Sequence, residues 1–130
     1  MPLSQKKNET ILVVDDEEMV RNFVCAILKQ QGYQVHAARN GEEAFQLVSL
    51  LGRGDIQLLF TDVVMPKMGG KNLANALKAF QPKMKVLYAS GYSDGDLRES
   101  GSIDANIHFI QKPYSAVDLT SKIRQILDDK

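Results

Sequence analysis

The sequence predicts an α/β fold, a single doubly wound (βα)5 domain in which five strands alternate with five helices. Two observations support this prediction. Short, β-branched apolar runs recur along the 130 residues, and each is followed by a segment with apolar side chains at helical spacing. No repeat or internal linker interrupts the alternation. We therefore expect a five-stranded parallel sheet with helices on both faces and right-handed crossovers.

The first half of the chain contains two strand–helix pairs. Residues 10–15 (TILVVD) form a β-branched apolar run, and residues 17–31 continue at helical spacing to Gly32 at a C-cap position. Residues 33–38 (YQVHAA) alternate as a strand does, and Asn40 begins a capping-box-like helix start. The predicted apolar stripes of the two helices are Val20, Phe23, Val24, Ile27 and Leu28, and then Ala44, Leu47, Val48 and Leu51.

The second half contains three more pairs. The predicted strands are residues 56–61 (IQLLFT), 85–90 (KVLYAS) and 106–111 (NIHFIQ). The third helix follows a turn at 66–70 and ends before Pro82, the fourth is a weak, polar helix between Gly91 and about Gly101, and the last begins at Ser115 and ends near Leu127. The stripes of the third and last helices are Leu73, Ala76, Leu77 and Phe80, and Leu119, Ile123, Ile126 and Leu127.

Chemically active side chains stand at the carboxyl ends of the predicted strands. Asp15 and Asp16 follow the first strand, Asp62 follows the third, Ser90 ends the fourth and Lys112 follows the fifth. In an open parallel sheet these positions converge on one edge. Three carboxylates placed together repel one another, and a hard divalent ion such as Mg²⁺ compensates for that repulsion. With a lysine and a hydroxyl beside them, they predict a cradle for phosphoryl transfer onto an aspartate nucleophile.

Composition and charge exclude several classes of function. The formal net charge is zero, which disfavours nonspecific nucleic-acid binding, and we expect no direct nucleic-acid partner. Residues 1–9 are polar, and no apolar run approaches the length of about 20 residues that spans a bilayer. We therefore expect a cytoplasmic chain without membrane contact. The single cysteine, Cys25, cannot form an internal disulfide, which agrees with that location.

Four separated segments, in order, resemble the receiver domain of two-component response regulators. They are VVDDE (13–17), TDVVMPKMGG (61–70), ASGY (89–92) and FIQKPY (109–114). The resemblance covers almost the whole chain and implies a flavodoxin-like or chemotaxis-regulator-like sheet with strand order 2-1-3-4-5. We predict a receiver domain over residues 10–128, preceded by residues 1–9 as a disordered N-terminal segment or a remnant of expression.

The resemblance implies a role for each residue of the predicted site. Asp62 is the phosphoacceptor, and Asp16, Asp62 and the backbone carbonyl of Val64 are ligands of Mg²⁺, for which Mn²⁺ can substitute. Asp15 acts largely through metal-bound water. Lys112 pairs with the phosphoryl group.

The resemblance also implies a switch. Ser90 moves toward the phosphoryl oxygens, and Phe109 then turns inward and changes the face formed by the fourth helix, the fifth strand and the last helix. Phe109 also has a simpler interpretation as a packed aromatic residue. A cis peptide bond before Pro113 is implied as well. Because Val64 and Tyr92 lie two residues beyond Asp62 and Ser90 and cannot orient water well, we expect slow self-dephosphorylation.

The expected partner is a sensor histidine kinase or a histidine phosphotransfer protein. The motifs resemble the C-terminal receivers of hybrid sensor histidine kinases more than free-standing chemotaxis regulators, so we expect a domain excised from such a kinase, with an intramolecular kinase domain in the parent. A complete, free-standing response regulator is the alternative.

Whether the chain is an enzyme is left open, since a receiver catalyses its own phosphorylation and a hybrid parent would be a histidine kinase. A flavin binder and a haloacid-dehalogenase-type phosphatase are disfavoured, because Asp-Asp-Glu-Glu repels phosphate and Val64 replaces a second acid.

Overall fold

Five helices and five strands alternate along the computed structural model, which describes residues 9–51, 55–101, 103 and 107–129. The elements are β1 (Thr10–Val14), α1 (Glu18–Gln30), β2 (Gln34–Ala38), α2 (Gly41–Leu50), β3 (Leu58–Asp62), α3 (Gly70–Leu77), β4 (Lys85–Ser90), α4 (Asp94–Glu99), β5 (His108–Gln111) and α5 (Ala116–Asp128). All strand pairs are parallel, in the order β2-β1-β3-β4-β5. The predicted fold class and strand order are confirmed.

The sheet separates two hydrophobic cores, because successive side chains of a strand point to opposite faces. Alternate residues of β1, such as Ile11 and Val13, face the core under α1 and α5, and their neighbours Leu12 and Val14 face the core under α2, α3 and α4. The central strands β1 and β3 are buried along their whole length. This explains why both appear in the sequence as continuous apolar runs.

Hydrogen bonds of side chains fix the starts of three helices. The side chains of Asn40, Ser93 and Ser115 each accept a hydrogen bond from the backbone N–H three residues later, at the first turns of α2, α4 and α5. Capping of this kind stabilises a helix by about 1 kcal/mol. The caps set where the chain turns back after β2, β4 and β5, and so set the rim around the carboxyl ends of the strands.

Two helices differ in detail from the prediction. Helix α3 ends at Leu77 instead of reaching Phe80, which lies in the following turn and packs edge-to-face on Phe45 at 6.4 Å. The helix ends early because the chain turns to bury Gln81, whose side-chain oxygen accepts a hydrogen bond from the Ile56 N–H. Phe23, expected on the apolar stripe of α1, is 46% exposed because it lies at the edge of that stripe.

The remaining differences are at boundaries. Asp62 is the last residue of β3 instead of following it. Residues 1–8 of the predicted N-terminal segment, and residue 106 of the predicted fifth strand, lie outside the described residues. Among the residues that are described, no helix has both the length and the apolar character needed to cross a membrane.

Candidate functional site

Asp15 is held by four hydrogen bonds at the end of β1. Its N–H donates to the Ala38 carbonyl at 3.2 Å, which extends the pairing of β1 with β2 by one residue. Its carbonyl accepts from Arg21 Nη1 at 2.8 Å, and its Oδ1 accepts from the Glu17 N–H at 2.9 Å. Its Oδ2 accepts from Lys112 Nζ at 3.0 Å. Asp15 is only 2% exposed, and these bonds hold its carboxylate in one orientation.

Asp62 is positioned by the end of β3 and the turn that follows. The Val63 N–H donates to the Ala89 carbonyl at 2.9 Å, so the pairing with β4 continues past the strand. The Asp62 Oδ1 accepts from the Val64 N–H at 3.3 Å, and its Oδ2 accepts from Lys112 Nζ at 3.2 Å. Burial raises the pKa of Asp62, the ammonium of Lys112 lowers it and the charge of Asp15 raises it, with a net increase.

Lys112 carries the positive charge of the site. Its N–H donates to the Ser90 carbonyl at 2.8 Å, which ties the end of β5 to β4, and its side chain is only 15% exposed. Burial alone lowers the pKa of this ammonium, but the hydrogen bonds and charges of Asp15 and Asp62 outweigh burial and raise the pKa well above its usual value. The lysine is therefore charged at any physiological pH.

Three carboxylates form a group that suits a divalent cation. One carboxylate oxygen from each of Asp15, Asp16 and Asp62 lies within 4.8 Å of the others, with Asp16 exposed and the other two buried. An all-oxygen donor set with an open, solvent-facing side fits Mg²⁺, which keeps several of its waters. The chemistry of the donors therefore matches the predicted cofactor. The Val64 carbonyl stays a predicted ligand.

The predicted switch residues lie on the neighbouring strands β4 and β5. Ser90 is 1% exposed at the end of β4, and its Oγ accepts from the Tyr92 N–H at 3.1 Å. Phe109 is half-buried on β5, opposite Tyr88 in the register, and packs against the core under α2, α3 and α4. The Lys112–Pro113 peptide bond is cis. Their functional roles stay predictions.

A glycine packed against Asp62 has a structural role that the sequence motifs did not indicate. Gly70 is the first residue of α3, and its N–H donates to the Val63 carbonyl at 2.8 Å. A Cβ at this position would approach the Asp62 carbonyl oxygen more closely than 3.0 Å, a separation that real Cβ atoms essentially never show. Helix α3 can start this close to Asp62 only because residue 70 has no side chain.

Three further residues near the site were missed from the sequence. Arg21 holds the Asp15 carbonyl, and Glu17 Oε1 lies 3.5 Å from Lys112 Nζ. The Tyr114 ring packs edge-to-face on Phe60 at 5.9 Å, and its hydroxyl is the one buried side-chain polar atom without a hydrogen-bond partner in the described part of the chain. Burial raises the pKa of that hydroxyl. The available signal was the position of Arg21 in the first part of α1, one helical turn after Glu17; the other two contacts depend on packing.

Comparison with known proteins identifies the family. The sequence profile described as "Response regulator receiver domain" matches residues 11–124. The chain belongs to the response regulator receiver family. Receiver domains are parts of two-component systems, generally bind Mg²⁺ at an acidic pocket, and interact with histidine kinases or phosphotransfer proteins.

Similar receivers occur both inside longer proteins and alone. "Sensor kinase CckA" of Brucella abortus (strain 2308) is 34% identical over 119 residues, which are 92% of this chain and 12% of that protein. "Sporulation initiation phosphotransferase F" of Bacillus subtilis (strain 168) is 30% identical over 121 residues, which are 92% of this chain and 94% of that protein. The solved receiver domain of the hybrid histidine kinase CckA superposes with a TM-score of 0.77 at 31% identity, covering 92% of this chain and 99% of that one.

Proposed function

We propose that this receiver domain accepts a phosphoryl group on Asp62 in a Mg²⁺-dependent reaction. The observation that carries the proposal is the convergence of Lys112 with Asp15 and Asp62, at 3.0 and 3.2 Å, beside the exposed carboxylate of Asp16. In the transfer, an Asp62 carboxylate oxygen forms a bond to phosphorus while the bond from phosphorus to the donor breaks. With phosphohistidine as donor, the electron pair of the P–N bond passes to the imidazole nitrogen, which takes a proton from water.

The residues around Asp62 supply charge compensation and orientation. The Val64 N–H and Lys112 each hold one Asp62 oxygen, which orients the carboxylate before the donor arrives. Lys112 offsets negative charge on the transferring phosphoryl oxygens, and Ser90 supplies a hydroxyl on the β4 side. Asp15, Asp16 and Asp62, with the Val64 carbonyl, would hold Mg²⁺. When bound, the ion neutralises charge on the phosphoryl oxygens.

The test is phosphorylation by a small-molecule donor. The chain is incubated with acetyl phosphate with and without Mg²⁺, and its intact mass is recorded. We expect an adduct of about 80 Da only when Mg²⁺ is present, with about one added negative charge, because an acyl phosphate of about two charges replaces the single charge of the carboxylate. Asp62→Asn should give no adduct, and Asp96→Asn, which changes an exposed carboxylate on α4, should behave as wild type. An adduct on Asp62→Asn, or none on wild type with Mg²⁺, contradicts the proposal.

We also propose that the physiological donor is a phosphohistidine in a histidine kinase or phosphotransfer protein, in the cytoplasm. The similarity to CckA supports a receiver that works within a hybrid sensor histidine kinase. The similarity to phosphotransferase F over 94% of that protein supports the alternative, a free-standing regulator. The test compares the rates of phosphoryl transfer from two histidine-phosphorylated kinase domains, one from the same parent chain and one from an unrelated protein. Faster transfer from the domain of the same parent chain supports the hybrid arrangement. Faster transfer from the unrelated kinase contradicts it.

We propose that Ser90 and Phe109 pass the signal to α4, β5 and α5. The positions of the two residues support this proposal. Ser90 ends β4, the strand beside β3 and Asp62, and Phe109 lies half-buried on the adjoining edge strand β5. Phosphorylation should then shift the backbone NMR signals of residues in α4 and β5, and Ser90→Ala should reduce those shifts while leaving the mass adduct in place. Equal shifts in Ser90→Ala would show that the hydroxyl takes no part.

A further inference from the structure

Lys112 contacts three carboxylates, of which two belong to the group that suits a metal ion. Its Nζ lies 3.0 Å from Asp15 Oδ2, 3.2 Å from Asp62 Oδ2 and 3.5 Å from Glu17 Oε1. An ammonium has three N–H donors, so each carboxylate can take one. Glu17 is the only one of the three outside the metal-ligand group in the described part of the chain.

The oxygens that Lys112 holds are the ones that a cation needs. Oδ1 of Asp15 already accepts from the Glu17 N–H, and Oδ1 of Asp62 accepts from the Val64 N–H. The remaining oxygen of each carboxylate is the one bound to the ammonium. A divalent ion drawn to Asp15 and Asp62 therefore competes with Lys112 for these two oxygens, and the two like charges also repel each other.

A displaced ammonium needs another acceptor. The Lys112 side chain is only 15% exposed, so water can replace few of its lost hydrogen bonds. The Glu17 carboxylate is already within reach and is 63% exposed, so it can turn toward the ammonium at little cost. The Glu17 backbone is anchored separately by the Asp15 Oδ1 bond, which keeps this side chain at the rim of the site.

We propose that Glu17 is a positioning residue that holds Lys112 when a divalent ion takes the Asp15 and Asp62 oxygens. The inference rests on the proposed function, and it concerns how the metal ion and the lysine share one set of carboxylates. Glu17 does not touch the phosphoryl group in this scheme. It makes the metal site easier to fill and keeps the ammonium beside Asp62 for the transfer.

The first experiment measures Mg²⁺ affinity by titration calorimetry on the intact chain. Glu17→Gln removes the charge and keeps the shape, and Glu18→Gln is the matched control, since Glu18 is an exposed first-turn residue of α1. We expect Glu17→Gln to weaken Mg²⁺ binding roughly two- to fivefold, the scale of one solvent-screened ion pair, and Glu18→Gln to leave it unchanged. Equal affinities for the two variants overturn the proposal.

A second background separates an effect through Lys112 from direct attraction between Glu17 and the metal ion. In Lys112→Met, direct attraction predicts that Glu17→Gln still weakens Mg²⁺ binding, and by more, because no ammonium screens the carboxylate. Our proposal predicts that the effect of Glu17→Gln disappears there. If circular dichroism shows Lys112→Met unfolded, Lys112→Gln serves as the background. An effect that persists in this background refutes the role of Glu17 through Lys112.

The two proposals fail in different ways. If the wild-type chain binds Mg²⁺ and forms the acetyl phosphate adduct while Glu17→Gln matches Glu18→Gln, only the role of Glu17 is lost. If the wild-type chain binds no Mg²⁺, the proposed function fails and the role of Glu17 fails with it.

Discussion

Replacing Gly70 with alanine tests whether β3 and α3 are packed as tightly as the structure shows. The new Cβ would meet the Asp62 carbonyl oxygen at less than 3.0 Å and the Thr61 Cγ2 at 3.1 Å. The nearest atom belongs to the backbone of a buried strand end, so it cannot swing away as a flexible side chain can. Either α3 or the β3–α3 turn must shift, and the Gly70 N–H bond to Val63 is strained in the process.

The cost can be bounded. Overpacking of this kind costs about 1–3 kcal/mol. The better helix propensity of alanine returns at most about 1 kcal/mol, and less at the first helical position. We expect a net loss of about 1–2 kcal/mol, which for a domain of this size corresponds to a melting temperature lower by roughly 4–8 °C. Because the shift displaces Asp62, Mg²⁺ affinity should fall as well.

Urea unfolding and Mg²⁺ titration of Gly70→Ala check both effects. Gly95→Ala is the matched control, because a Cβ there meets nothing within 4 Å and lies in the first turn of α4. That control should be unchanged or more stable by up to about 1 kcal/mol. If Gly70→Ala unfolds at the same urea concentration as wild type, the close approach of α3 to Asp62 is not present in the protein.

Three other perturbations have defined outcomes. The hydrogen bond from Arg124 lowers the pKa of Glu9, so Glu9→Gln should lower the free energy of unfolding by about 0.5–1 kcal/mol near neutral pH. In urea unfolding, this difference from wild type should vanish as pH falls below about 4. Lys67 has φ of 70° in the β3–α3 turn, so Lys67→Gly should gain about 0.5 kcal/mol in the same assay; a clear loss contradicts the strained backbone. Val64 and Tyr92 are 50% and 61% exposed, so a polar side chain at either position would reach water. Val64→Asn, whose amide can orient water, should therefore shorten the lifetime of the phosphorylated state measured by intact mass. An unchanged lifetime contradicts the predicted cause of slow self-dephosphorylation.

The sign of the Glu9 effect follows from its lowered pKa. A carboxyl whose pKa is lower in the folded than in the unfolded chain binds fewer protons when folded. Its stabilising contribution is complete above the unfolded pKa of about 4.3 and is lost as pH falls through the lower folded value. Glu9→Gln has no such titration, so the two stabilities converge in acid. Divergence below pH 4 would contradict the lowered pKa of Glu9.

The fold was predictable because the strand and helix periods are clear at every element except the weak, polar fourth helix. The strand-end rule then placed Asp15, Asp62 and Lys112 on one edge of the sheet without any knowledge of their contacts. What the rule could not supply was the path of the turns. The early end of α3 depends on the buried amide of Gln81, a tertiary contact that no local pattern encodes.

The residues missed near the site share a physical reason. Gly70 appears in the sequence as one of two glycines in a turn, and only the approach of the Asp62 carbonyl shows which of them must lack a side chain. Glu17 appears as part of an acidic run that a helix start commonly contains. Glu17 and Lys112 are 95 residues apart in the chain, and they come together only once β1 and β5 lie in the same sheet.

Charge links the packing of this site to the proposed binding of a metal ion. The carboxylates of Asp15, Asp16 and Asp62 outnumber the single ammonium of Lys112, and Glu17 brings a further carboxylate within 3.5 Å of it. Lys112 compensates for one of these charges and leaves the group with an excess of negative charge that a divalent cation would offset. In the proposed function, phosphorylation replaces the single charge of Asp62 with about two. The product would therefore attract the cation more strongly than the unphosphorylated site does, and by linkage the cation would favour the phosphorylated state by the same free energy.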